Sequence, residues 1–131
     1  MLEYWEVWCT IIHLMKTFED LDAWKMGMDL VEEIYKITSQ FPPEERYGLT
    51  QQMRRASTSV VANIGEGFGR YTFPDKAHKY TIARGECIEV RAFLLIAMRL
   101  GFVKDAKTAI ELTNTVGRLL NGLIQSCKRR S

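Results

Sequence analysis

The side chains best suited to chemistry in this sequence are cationic. Arg54, Arg55, Arg70, Lys76, Lys79 and Arg84 crowd the middle of the chain, and Lys128, Arg129 and Arg130 end it in a basic run. Guanidinium and ammonium groups at this density suit contacts to phosphate; the plainer reading is solvated charge on helix surfaces. Eighteen Lys and Arg stand against sixteen Asp and Glu, a net charge of +2. That excess is too small to announce a nucleic-acid binder by itself, so the distribution of the charges has to decide.

Other chemistry finds less support. Gly65-Glu66-Gly67-Phe68-Gly69-Arg70 has the look of a phosphate loop, but such loops join a strand to the start of a helix, and this one follows a helix-like run. Glu66, Glu86 and Glu89 could supply paired carboxylates, yet none has a His three residues on, the spacing that di-iron bundles use. His78 has no Ser or Cys partner that the sequence can assign, and Cys9, Cys87 and Cys127 are widely spaced with no C-x-x-C pair. No catalytic residue, cofactor or metal site is therefore expected. Cys87 and Cys127 fall on apolar helical stripes, where a thiol acts as a small hydrophobe, and this points to a reducing, cytoplasmic compartment.

The elements that must carry these residues are helical. Trp24, Met28, Val31, Ile34 and Tyr35 recur at three and four residues from Leu21, with Asp20 placed to cap the first turn, and Phe41-Pro42-Pro43 ends this first helix by Gln40. After a loop from Pro43 to Gly48, Leu49, Met53, Ala56, Ser57, Val60 and Ile64 define a second helix with a small-residue seam, and Gly65 to Gly69 read as its fraying end. Thr72 and Asp75 are spaced as a capping box for a third helix, lined by Ala77, Tyr80, Ala83, Cys87, Val90, Leu94, Ala97 and Met98 and closed by Gly101 in a left-handed cap. The fourth carries Ala106, Ile110, Thr113, Val116, Leu120, Leu123, Ile124 and Cys127. Four such helices with short connections predict an all-α, up-and-down antiparallel four-helix bundle over residues 17–127, followed by a basic C-terminal tail, 128–131.

Residues 1–16 stand apart. The run MLEYWEVWCTIIHL is aromatic and acidic, too short to span a bilayer and without the positive start of a signal peptide. Two readings stay open: an upstream extension before a start at Met15, or an amphipathic arm with Leu2, Trp5, Cys9 and Ile12 on one side. Within the bundle, Arg55, Ser59, Ala62, Glu66 and Arg70 share one side of the second helix, so Arg55 and Glu66 are placed to pair with Arg84, Glu86 or Glu89 of the third, within the chain or across a subunit boundary.

Four phrases carry a family resemblance: Phe18-Glu19-Asp20-Leu21-Asp22-Ala23-Trp24; Tyr47-Gly48-Leu49-Thr50-Gln51-Gln52-Met53-Arg54-Arg55-Ala56; Ser59-Val60-Val61-Ala62-Asn63-Ile64-Gly65-Glu66-Gly67; and Ile82-Ala83-Arg84-Gly85-Glu86-Cys87-Ile88-Glu89. In order, they resemble the bacterial four-helix-bundle family of 23S rRNA intervening-sequence proteins, which includes the accessory variability determinant proteins of diversity-generating retroelements. The chain departs from the family pattern at Gly65, where Ala is usual, and at Glu86, where Ser is usual. The resemblance implies a homopentamer, no enzymatic activity and, for the retroelement relatives, binding to RNA and to a reverse transcriptase.

The function expected from residues and resemblance together is non-enzymatic RNA binding by an oligomer. Arg54, Arg55, Arg70, Lys76, Lys79, Lys128, Arg129 and Arg130 would meet phosphates, and repetition around a ring would multiply weak contacts. The alternative is a protein-interaction scaffold, for example an accessory to a reverse transcriptase, with no direct nucleic-acid role and no membrane partner.

Overall fold

The computed structural model describes residues 15–131, and the readings made for residues 1–14 lie outside it. Among the described residues are four α-helices and no strand: α1 (Asp22–Thr38), α2 (Leu49–Gly69), α3 (Phe73–Arg99) and α4 (Lys107–Arg130). Short 3-10 turns at Phe18–Asp20 and Pro43–Glu45 precede α1 and α2. Each helix packs on its neighbours in sequence and α1 meets α4, so the ring closes in the order α1, α2, α3, α4, with the backbones of diagonal helices held further apart. That is the up-and-down bundle.

The helix ends follow local chemistry. Thr72 Oγ1 accepts from the Asp75 N–H at 3.2 Å and starts α3. Gly101, at φ +78°, ends it: the Phe102 N–H bonds to the Ala97 carbonyl and the Gly101 N–H to that of Met98, the paired bonds of a Schellman motif. Asp20 caps the 3-10 turn before α1 rather than α1 itself, its Oδ2 accepting from the Lys16 and Thr17 N–H groups. Those two bonds hold its carboxyl below the usual range. Glu45 reaches forward from the second 3-10 turn to accept from the Leu49 N–H at 2.9 Å, a cap on α2 supplied by the connection.

The core seams of α2, α3 and α4 lie close to their sequence pattern, with Met53, Val60 and Ile64 facing Cys87, Val90, Leu94, Val116, Leu120 and Ile124. On α1 the buried line is rotated from the expected one. Ala23, Gly27, Leu30, Ile34 and Ile37 point inward, while Trp24, Met28, Val31 and Tyr35 flank them, only partly covered. Close packing is the reason: a Cβ on Gly27 would lie 2.8 Å from Val61 Cγ1, so α1 and α2 meet where α1 has no side chain.

The glycine-rich end of α2 differs as well. It does not fray, because Gly67 is buried under the Tyr80 ring and the helix runs on to Gly69. The Lys76 ammonium donates to the Phe68 carbonyl and sits 5.5 Å from the Phe68 ring, covering the negative end of α2. Phe41 and Phe102 close one end of the core, with ring centres 5.6 Å apart. Phe18 and Trp24 meet edge to face at the other.

Candidate nucleic-acid interface

The connection between α1 and α2 builds one wall of a surface groove. The 3-10 turn and the Glu45 cap fix Arg46 and Tyr47 beside α2, and a cleft of about 380 Å³ runs between Tyr35 of α1, Arg46 and Tyr47 of the connection, and Arg54, Arg55 and Thr58 of α2. Tyr47 is 82% exposed and Tyr35 41% exposed. The Arg54 guanidinium lies 4.5 Å from the centre of the Tyr35 ring, and its Nε donates to Thr38 Oγ1 at 2.9 Å. Arg46 forms no ion pair among the described residues. Guanidinium groups and accessible aromatic rings thus share one cleft, the combination that grips a backbone phosphate while a base stacks. Arg46 and Tyr47 escaped the sequence reading because they lie in a loop, where no periodicity marks them.

The remaining cations are spread and mostly engaged. Arg55 spans two carboxylates of α3, with Nη2 2.9 Å from Glu89 and Nη1 3.7 Å from Glu86. Glu66 takes Lys79 at 2.8 Å and Arg70 at 4.0 Å, and the bond from Lys79 lowers its pKa. Arg84 turns to α4 instead, donating to Asn121 Oδ1 at 2.7 Å. Glu86 Oε2 is buried without a hydrogen-bond partner among the described residues; burial, then the neighbouring Glu89, raises the Glu86 pKa. Lys76, committed to the α2 terminus, has its pKa lowered by desolvation.

Arg70, Lys76, Lys79 and the Lys128 to Arg130 run gather at one end of the bundle, where the Arg130 guanidinium stands 5.7 Å from the Phe73 ring. The basic run is the last turn of α4 rather than a detached tail. Arg54 and Arg55 lie near the opposite end, beside the α1–α2 connection, so the expected phosphate ligands form two groups rather than one face. Among the described residues no cluster of His, Cys, Asp and Glu could hold a metal ion, and no helix is long and apolar enough to cross a membrane.

A closed four-helix bundle with a cleft of arginines and tyrosines defines the class: a small helical protein with a polar surface groove. The chain belongs to the 23S rRNA-intervening sequence protein family, which it matches over residues 19–122. Among solved structures it resembles a protein of unknown function from the S23 ribosomal protein family of Bacteroides thetaiotaomicron, with a TM-score of 0.72 and 20% identity, over 79% of this chain and 95% of that one. At that identity the likeness concerns the fold. No curated protein matches the chain.

Proposed function

We propose that this protein binds single-stranded RNA without catalysing a reaction on it, and that the α1–α2 groove is where it does so. The observation that carries the reading is the meeting of Arg46, Arg54 and Arg55 with Tyr35 and Tyr47 in one cleft. The family's name, which ties it to intervening sequences of 23S rRNA, supports the same class of ligand. Lys128 and Arg129, exposed at the far end, extend the path for a longer strand.

Fluorescence anisotropy with a labelled oligouridylate tests it. Stacking on an aromatic ring contributes about 1–3 kcal/mol per base, so Tyr47→Ala should weaken binding roughly tenfold, and Arg46→Gln should reduce the salt dependence by about 0.7 in log–log slope. Binding that ignores both salt and Tyr47 would refute the reading.

A second reading has its own support. The outward side of α3 is apolar: Ile88 is 62% exposed and Leu95 50%, with Ala92 between them. We infer that another copy of the chain covers this strip, giving the ring-shaped homopentamer that the family resemblance implies, and a reverse transcriptase or another protein is the competing occupant. Leu95→Lys should lower the mass measured by sedimentation to that of one chain. A wild-type chain that sediments as a monomer would exclude self-association, and a protein captured from the native cell that survives nuclease treatment would favour the scaffold.

A further inference from the structure

On the side of the bundle opposite the α1–α2 groove, a second cleft of about 290 Å³ runs between α3 and α4. Its two walls are bridged by matching rungs. Arg84 Nη1 donates to Asn121 Oδ1 at 2.7 Å, and Arg91 Nη1 donates to Asn114 Oδ1 at 2.9 Å. Each pair is separated by seven residues along its own helix, so the rungs stand about 10.5 Å apart by helix rise. Between them the α4 wall has only Gly117, around which a Cβ would meet nothing within 4 Å, and Arg118 borders the same space.

Arg84, Arg91 and Arg118 form no ion pair among the described residues. Their partners are neutral, an amide for the first two and Thr115 Oγ1 for the third, so no carboxylate among the described residues offsets them. A guanidinium has five N–H donors, and one amide oxygen occupies one of them. The asparagines therefore hold the guanidiniums in place without neutralising them, which is how a waiting oxyanion site is built.

We propose that this cleft binds the backbone of a single-stranded nucleic acid, with phosphates two nucleotides apart at the two rungs and the phosphate between them passing over Gly117. A lone phosphate reaches one rung at a time; a phosphodiester chain reaches both. This goes beyond the α1–α2 groove and does not depend on it, since the two clefts share no residue; Ile88 lines this cleft too, so a bound strand and a second copy on the α3 strip compete for that edge.

The test is oligouridylate binding by the whole chain carrying Arg91→Gln and Arg118→Gln, both exposed positions outside the core. Losing two phosphate contacts should weaken binding tenfold or more and flatten the log–log salt slope by about 1.4. A control with Lys104→Gln and Lys107→Gln removes the same charge elsewhere, and an equal loss there would overturn the proposal. Phenylglyoxal labelling of the unaltered chain gives a second readout: oligouridylate should protect Arg84, Arg91 and Arg118. Absent protection, or the same protection by polyglutamate, would overturn it. Binding abolished by Tyr47→Ala but unmoved by the arginine pair would overturn this cleft while leaving the α1–α2 groove standing; the reverse result would do the opposite.

Discussion

Replacing Gly67 by alanine measures how tightly α2 and α3 are pressed together. An ideal Cβ at Gly67 would lie 2.7 Å from Tyr80 Cε1, 2.8 Å from Tyr80 Cδ1 and 3.2 Å from Lys79 Cβ. The ring has nowhere to retreat, because Tyr80 is only 3% exposed and packed in the core. Forcing extra volume into such a contact costs about 1–3 kcal/mol. Alanine recovers at most about 1 kcal/mol of helix propensity, and less in a last turn. The expected net loss is about 1–2 kcal/mol, a fall in melting temperature of roughly 3–8 °C for a chain of this size. Gly85→Ala is the internal reference. It lies within α3 with nothing within 4 Å of its missing Cβ, so the same change there should raise the melting temperature by a few degrees. Both substitutions are read by circular-dichroism melts and urea titration. In a Tyr80→Leu background, Gly67→Ala should lose most of its penalty. If Gly67→Ala stabilises the chain as Gly85→Ala does, the close approach of α2 and α3 is wrong.

Two further outcomes follow from buried titratable groups. Burial raises the Glu86 carboxyl above its ordinary 4.5, so the folded chain holds that proton more tightly than the unfolded one. Its contribution is present below the ordinary value and is lost as pH rises through the raised one. The melting-temperature difference between the wild type and Glu86→Gln should therefore shift against the wild type from pH 4 towards neutrality; a shift in its favour would refute the assignment. Cys87, whose Sγ donates to the Thr113 carbonyl at 3.3 Å, has its thiol pushed up to about 11 by burial. It should resist iodoacetamide at pH 8 until the chain unfolds, and labelling of this residue at the speed of an open thiol in native buffer would contradict the packing.

The fold was legible because three of the four seams repeat large or small apolar residues without interruption. Val60, Ile64, Val90, Leu94, Val116 and Leu120 all fall where their spacing puts them, fully buried. The first helix misled because its buried line is built around Gly27, which hydropathy does not count, while Trp24 and Tyr35 weigh heavily and lie beside the seam. Gly67 misled in the same way: glycine weakens an isolated helix, but here its lack of a side chain admits the Tyr80 ring. The grooves were least legible. Arg46 and Tyr47 acquire their place from a 3-10 turn and a glutamate cap, and Arg91 and Arg118 from the register of α3 against α4. A single sequence specifies each helix face but not the offset at which two faces meet.

The oily exterior of α3 has a practical consequence for anyone handling the protein. Sulfate salts are excluded from protein surfaces and strengthen every tendency to hide apolar area. While Ile88 and Leu95 stay uncovered, the chain should cling to a phenyl resin and salt out early, despite a surface otherwise dotted with charge. Once a neighbour occupies that side, both behaviours should fade, and heat resistance should climb with protein concentration, as mass action requires of any chain that borrows shelter from its copies.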